Sequence, residues 1–281
     1  MIISVASGKG GTGKTTIASN LALALEDKTI QYLDCDVEEP NSNIFIKAEI
    51  NNSEQVSVGV PFVHDERCDF CGKCADFCHF NALAVIPDNV LVFPELCHDC
   101  GGCKLVCPND AIEFKQRSVG VLEYGEKDGI DFYQGMLNVG EIQAIPVIQS
   151  LKRRVDSSHD VVVLDAPPGT SCPVIETVQE SDFCVLVTEA TPFGLHDLQL
   201  AVELLRHMSI PFGVVINRCD TGFKDVEVYC SNQDIPILMK IPFDRQIARL
   251  YSEGIPFINE LNGWKEKFQV LYQKIVERVE K

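Results

Sequence analysis

Gly8-Lys9-Gly10-Gly11-Thr12-Gly13-Lys14-Thr15-Thr16 follows the apolar run Ile2-Ile3-Ser4-Val5-Ala6 and leads into Ile17-Ala18-Ser19-Asn20-Leu21-Ala22-Leu23-Ala24-Leu25. The order reads as strand, glycine-rich loop, helix. The spacing from Gly8 to Gly13-Lys14-Thr15 fits a phosphate-binding loop, in the strand-to-helix setting that gives the pattern its meaning. Glycines let backbone N–H groups turn inward with no Cβ in the way. Such a loop is a nest for phosphate oxygens at a helix N-terminus. In this reading Gly8, Gly10, Gly11, Thr12, Gly13 and Thr16 shape the nest, Lys14 reaches the β- and γ-phosphates, and Thr15 holds Mg²⁺. The competing reading is a glycine-rich turn with a chance lysine. The position directly after a buried-type strand argues against it.

Lys9 is a second lysine, early in the loop. The stretch from Lys9 to Thr16 resembles the deviant Walker A motif of the MinD, ParA, Mrp and nitrogenase iron protein ATPases. That resemblance implies ATP and Mg²⁺ as ligands. It also implies a homodimer that sandwiches the nucleotide, with Lys9 crossing to the partner's nucleotide. Taken without the resemblance, Lys9 is an extra cation beside the phosphates.

The chain has 281 residues, room for one large α/β domain or for such a domain with a guest. Its formal charge of −17 argues against nucleic acid or an anionic membrane as partner. No apolar run reaches the length of a membrane span, and the chain starts on a strand with no signal-peptide pattern. The expected location is therefore a reducing cytoplasm. There, 13 cysteines point to metal ligation before disulfides.

Residues 29–33 read as a second strand, ending in Asp34-Cys35-Asp36. Carboxylates at the C-terminal edge of a parallel strand stand where such sheets bind ligands, though two aspartates there are also ordinary loop residues. The stretch from Asp34 to Asn41 resembles switch I of this ATPase family, which implies that Asp36 orients the attacking water and Asp34 lies near Mg²⁺. Val161-Val162-Val163-Leu164-Asp165 is a buried parallel strand by pattern and a Walker B by position. Asp165-Ala166-Pro167-Pro168-Gly169-Thr170 resembles switch II of MinD and Mrp. By that likeness Asp165 acts on the Mg²⁺ shell and the Gly169 amide senses the γ-phosphate. Residues 118–122, 183–188 and 212–217 read as further strands, and 142–154 as a helix despite Pro146. Asn217-Arg218 occupies the family's base-recognition position. Ile241-Pro242-Phe243-Asp244 resembles its adenine-wrapping loop, which brings in Pro242 and Phe243.

Between residues 62 and 117 cysteine becomes dense. Cys68-x₂-Cys71-x₂-Cys74-x₃-Cys78 is answered by Cys97-x₂-Cys100-x₂-Cys103-x₃-Cys107-Pro108, each cysteine 29 residues after its counterpart. Asn81-Ala82-Leu83 is answered likewise by Asp110-Ala111-Ile112. Zinc also suits two-residue gaps, but the third close cysteine in each run favours cubanes. The segment resembles the bacterial two-cluster ferredoxins, whose fourth cysteine ligates the other cluster. The resemblance assigns Cys68, Cys71, Cys74 and Cys107 to one 4Fe–4S cluster, and Cys97, Cys100, Cys103 and Cys78 to a second. His79 stands where the second run has Pro108, and His98 reads as an exposed loop residue.

The expected fold is α/β: a doubly wound, mostly parallel sheet of the P-loop NTPase kind, with a small α+β ferredoxin domain inserted. The ATPase domain is 1–61 with 118–281, and the insert is 62–117. Trp264, Phe268, Leu271 and Ile275 fall at i, i+4, i+7 and i+11, an amphipathic helix. Its mixed-charge polar face favours core packing over a membrane surface. The resemblances imply an ATPase that couples nucleotide state to clusters or electrons. One form serves maturation of an iron–sulfur or related metallocofactor through a protein client. The others are an ATP-gated electron donor to a reductase and a redox-sensing positioning ATPase. Cys172, seven residues after Asp165, reads either as a packing residue at a switch or as a thiol facing its partner copy. The scattered late cysteines include no Cys-x-x-Cys beyond residue 107, unlike the Mrp-type carriers.

Overall fold

The computed structural model describes residues 1–280 and is built on a nine-stranded sheet. The strands are β1 (Ile2–Ala6), β2 (Ile30–Asp34), β3 (Glu49–Val63), β4 (Leu83–Ile86), β5 (Asn89–Val92), β6 (Ile112–Lys127), β7 (Ile130–Leu137), β8 (Val161–Asp165), β9 (Phe183–Glu189), β10 (Phe212–Asn217) and β11 (Ile237–Ile241). The helices are α1 (Lys14–Ala24), α2 (Asn43–Ile46), α3 (Lys73–Phe77), α4 (Gly102–Leu105), α5 (Ile145–Lys152), α6 (Cys172–Val178), α7 (Pro192–His207), α8 (Asp225–Asn232), α9 (Arg245–Ser252) and α10 (Trp264–Val279). The spatial order is β11-β10-β9-β1-β8-β2-β7-β6-β3, parallel from β11 to β7 and antiparallel beyond it. This is the expected α/β class.

The parallel strands are apolar without a break because both faces are covered. In β8, Val161 and Val163 enter the core under α1 and α10, while Val162 and Leu164 enter the core under α5. On the same face as α5, Leu186, Val214 and Ile216 are buried in a neighbouring core under α6, α7 and α8. Trp264, Phe268, Leu271 and Ile275 of α10 are all buried in the first core, so the apolar face of that helix is spent on α1 and the sheet. Among the described residues no helix is long and apolar enough to cross a membrane.

Two elements differ from the sequence reading. The strand at 118–122 is a fragment of the 16-residue β6, which pairs with β3 from Glu49↔Glu126 to Val63↔Ile112. The helix expected over 142–154 covers Ile145–Lys152 only. Glu141 takes the N–H groups of Ile142 and Gln143 into a turn, and Pro146 sits in the first helical turn, where a missing N–H costs nothing. Ile241-Pro242-Phe243-Asp244, read as a loop, starts on the last residue of β11 and continues as a loop, with Asp244 capping α9 through the Gln246 amide. The distal ends of β3 and β6 carry residues 64–111, which hold the β4–β5 hairpin and all eight cysteines of the repeat.

Candidate functional site

Residues 7–13 join the C-terminal end of β1 to α1 and border a cavity of about 450 Å³. Gly10, Gly11, Gly13, Lys14, Thr15 and Thr16 line it. Gly13 has φ +97°, and a Cβ there would come within 2.7 Å of the Asn217 side chain. That side chain donates from Nδ2 to the Thr12 carbonyl at 2.8 Å, so β10 holds the loop in place. α1 begins with no side-chain cap, which leaves its first N–H groups for an anion. Gly8 and Thr12 do not line the cavity: Gly8 abuts the backbone of Asp197, and Thr12 is buried. Asn217 and Arg218 do line it, as do Pro242 and Phe243. Ile247, Tyr251 and Phe257 complete an apolar wall suited to a flat ring, and Phe243 is 54% exposed with no partner for its face.

The carboxylates divide their work. Asp165 is buried at the end of β8, where its Oδ2 accepts from Ser42 Oγ at 3.0 Å and Tyr32 Oη at 3.3 Å. Among the described residues its Oδ1 has no hydrogen-bond partner. The Thr15 hydroxyl and the Lys14 ammonium both favour its charged form, against burial, which raises its pKa. An orphaned carboxylate oxygen beside a loop threonine fits a Mg²⁺ with its waters. Asp34, the register partner of Asp165, is used differently. It accepts the amides of Asp36 at 3.2 Å, Asn41 at 3.0 Å and Ser42 at 2.9 Å. Both of its oxygens therefore shape the loop that carries Asp36. Asp36 lines the cavity, with its pKa raised to about 6 by burial and held from rising further by Lys14. Gly169, at φ +97°, donates its N–H to the Ser7 carbonyl at 3.0 Å, a bond that must open before the amide can meet a phosphate.

Lys9 does not line the cavity. Its Nζ lies 3.5 Å from Glu189 Oε2, while Arg218 Nη1 lies 2.8 Å from Glu189 Oε1. One nearly buried carboxylate at the end of β9 thus holds both cations. Cys172 is exposed at the start of α6, among neither the nucleotide nor the cysteine groups.

The eight repeat cysteines surround two cavities. Cys68, Cys71, Cys74 and Cys107 line one, and Cys78, Cys97, Cys100 and Cys103 line the other. Each set takes its fourth member from the other run. The 29-residue repeat extends to the backbone: Phe70 and Asp99, Gly72 and Gly101, and Asn81 and Asp110 all have positive φ. At the first of these left-handed positions the Phe70 N–H donates to Cys68 Sγ at 3.4 Å. Ala82 donates to Cys78 Sγ and Ala111 to Cys107 Sγ, both at 3.3 Å. The remaining walls are apolar, with Val85, Val90 and Ile112 in the first and Phe80, Leu83 and Phe114 in the second. Burial raises the thiols of Cys74, Cys97 and Cys103, the last to about 11, so a metal's charge is needed to hold them as thiolates. Among the described residues no three His, Cys, Asp or Glu meet at a point fit for a single ion. Four thiols ringing a cavity, with amides on sulfur, fit a 4Fe–4S cubane. His98 is exposed, as read from the sequence, and stacks on Phe80 at 3.7 Å over the second cavity.

Residues 3–257 match the family model described as the CobQ/CobB/MinD/ParA nucleotide binding domain. The chain belongs to this family. An uncharacterized protein of Methanocaldococcus jannaschii is 31% identical over 279 residues, spanning 99% of this chain and 97% of that protein. An iron-sulfur cluster carrier protein of the same organism is 23% identical across 99% of this chain and 84% of its own length. The solved structure of the Pyrococcus furiosus cell division ATPase MinD matches with a TM-score of 0.59 at 19% identity, over 98% of each chain. That likeness is one of fold.

Within the family frame, several contributors have no motif of their own. Tyr32 reaches Asp165 from the neighbouring strand β2 and Ser42 from the start of α2, Glu189 gathers Lys9 and Arg218, and Tyr251 and Phe257 come from the last fifth of the chain. The carboxylate pair also makes a stability prediction. Asp34 is raised to about 7 by burial and the charge of Asp165, and Asp165 is raised by burial. Raised carboxyl pKa values stabilise the fold fully below the unfolded value, and that stability is lost as pH rises through about 7. Asp165→Asn removes one of the two buried charges. In nucleotide-free protein it is expected to raise Tm at pH 8 more than at pH 5, by roughly 2–4 °C for each kcal/mol recovered. Thermal melts at the two pH values check this, and an equal shift at both would refute it.

Proposed function

We propose that this chain is an ATPase whose nucleotide state governs its handling of iron–sulfur clusters, in the maturation of an iron–sulfur or related metallocofactor. The observation that carries the reading is that two four-cysteine cavities and one nucleotide cavity share a single nine-stranded frame. Residues 62–117 act as a ferredoxin-type domain holding two 4Fe–4S clusters, set into an ATPase domain made of 1–61 and 118–281. The match to a relative named iron-sulfur cluster carrier protein supports this.

The loop amides and Lys14 hold the phosphates of ATP, and Thr15 with Asp165 holds Mg²⁺. Asp36, with its pKa near 6, is mostly ionised at neutral pH and orients the attacking water. Gly169 exchanges Ser7 for the γ-phosphate. Lys9 leaves Glu189 for the nucleotide of a second copy, so ATP favours a homodimer. Pro242 and Phe243 cover the base. When bound, the clusters supply one-electron storage. A protein client docks in one nucleotide state and leaves in the other, and the cycle needs a reducing cytoplasm but neither nucleic acid nor membrane.

A second reading, an ATP-gated electron donor, draws on the closeness of the two runs: the Phe77 ring packs so tightly on Gly102 that a Cβ there would come within 2.2 Å of it. One experiment separates the two. Cluster-loaded protein is mixed anaerobically with a cluster-free acceptor, and separately with a loaded, oxidised acceptor, under ATP or a non-hydrolysable analogue. Iron moving to the first acceptor only with hydrolysis supports maturation. Reduction of the second, with all iron retained by the donor, supports electron delivery. Indifference to nucleotide in both arms refutes the coupling itself.

A further inference from the structure

We propose that Gln143 couples the nucleotide cavity to the second cysteine cavity, the one lined by Cys78, Cys97, Cys100 and Cys103. This rests on the reading above that nucleotide state governs the cysteine sites. The connection is a short strap, residues 137–143, between β7 and α5. At its start, the Leu137 N–H donates to the Val37 carbonyl at 2.9 Å. Val37 follows Asp36 and precedes Glu39 and Asn41, and these three line the nucleotide cavity. At its end, Gln143 Nε2 donates to the carbonyls of Glu95 at 3.0 Å and Cys97 at 3.1 Å. Between those ends the strap is anchored at two further points. Asn138 is bonded from its N–H to the Val119 carbonyl at 3.0 Å and from Nδ2 to the Ser118 carbonyl at 3.1 Å. Glu141, whose side chain is 4% exposed, pairs with Arg117 through one oxygen. Its other oxygen accepts the N–H groups of Ile142 and Gln143 at 3.0 and 3.1 Å.

The two cysteine cavities are gripped unequally. The second receives both Gln143 bonds and a further one from the sheet, where the Gly59 amide donates to Asp99 at 2.7 Å. Asp99 lies between Cys97 and Cys100, and a Cβ at residue 59 would sit 2.6 Å from its carboxylate. Among the described residues, no hydrogen bond joins the first cysteine run, 68–78, to any residue outside 64–111. Loops that close on a γ-phosphate have two arrangements, and a bonded strap carries the choice onward only where it ends. That end is the carbonyl of a cysteine, and hydrogen bonding and solvent access around a cluster set its potential. Gln143 is therefore a positioning residue: it touches neither nucleotide nor sulfur.

The test uses the full chain with Mg²⁺ and a non-hydrolysable ATP analogue. Hydrogen exchange is followed at 68–78 and 95–103, and reduced clusters are followed by EPR during a potentiometric titration. The analogue is expected to slow exchange at 95–103 by roughly 5-fold or more, the lower range of ordinary coupling, and to leave 68–78 unchanged. One of the two cluster signals shifts with it. Gln143→Leu abolishes both effects while analogue affinity stays near the wild-type value, and Gln143→Glu, similar in size but without the donors, does the same. Equal slowing in both segments, or slowing that persists in both variants, overturns the proposal. Protein that binds no iron, yet shows the exchange difference, refutes the cluster reading and keeps the strap. Protein that binds both clusters but shows no nucleotide effect on either segment does the reverse.

Discussion

Cys78→Ser is expected to empty the cavity of Cys97, Cys100 and Cys103 and to spare the one beside its own run, lowering iron content by about half. Single variants alone do not say which cluster was lost, but pairs do. Cys71 and Cys100 are the exposed members of the two sets, so replacing them disturbs packing least. Because Cys78 and Cys100 line the same cavity, Cys78→Ser with Cys100→Ser is expected to retain about half the iron. Cys78→Ser with Cys71→Ser strikes both cavities and is expected to leave almost none. Metal analysis and EPR of the reduced proteins read this directly. The opposite pattern, little iron in the first pair and half in the second, would show that each run holds its own cluster.

Lys9→Ala is expected to lower ATP turnover by roughly 10³–10⁵, the range for a cation supplied to phosphoryl transfer from across an interface. ATP binding should change little, because Lys9 lies outside the cavity, whereas Lys14→Ala should lose binding. Glu189 refines the expectation. It holds Lys9 and Arg218 in the single chain, so Glu189→Gln weakens the hold and should let the ATP dimer form at lower protein concentration. A net charge of −17 on each copy opposes association at low salt, so the dimer should tighten as salt rises from very low values. Sedimentation with ATP across a salt series, beside steady-state turnover, measures all of this. A monomer at every salt, with wild-type turnover in Lys9→Ala, would remove the dimer mechanism.

What could be read from the sequence was what local pattern determines. A run such as 161–164, apolar at every position, has only one comfortable place, between two helical layers. The loop after β1 and the 29-residue repeat are legible because phosphate and metal demand fixed residue types at fixed spacing. β3, β7 and most of β6 escaped for the opposite reason. They form the antiparallel margin of the sheet, where β3 buries Val56 and Val58 but exposes much of the rest, so polar residues blur the alternation. The spacing predicts a helix from residue 142, but one buried carboxylate draws the amides of Ile142 and Gln143 into a turn, so α5 begins only at Ile145. Glu189, Tyr32 and Ser42 were hidden for another reason. Each is an ordinary residue that matters only through a partner more than a hundred positions away, or through a cation from another loop.

β3 and β6 end on a facing pair, Val63 and Ile112. Opposed residues in an antiparallel ladder stand only about 4.5–5.5 Å apart. The chain thus leaves the sheet and re-enters it through one narrow gate, and to the sheet everything beyond that gate is a hairpin tip. The entropy of closing such a tip grows only slowly with its length. A ribbon alone would leave its burden free to swing, as a flag does on a pole. The strap at Gln143 adds a second fixing point off the ribbon's axis, and two fixings turn a flag into a bracket. In the proposed coupling, closing the nucleotide loop has a second anchor to push against, which a single stalk, however strongly hydrogen-bonded along its length, would not provide.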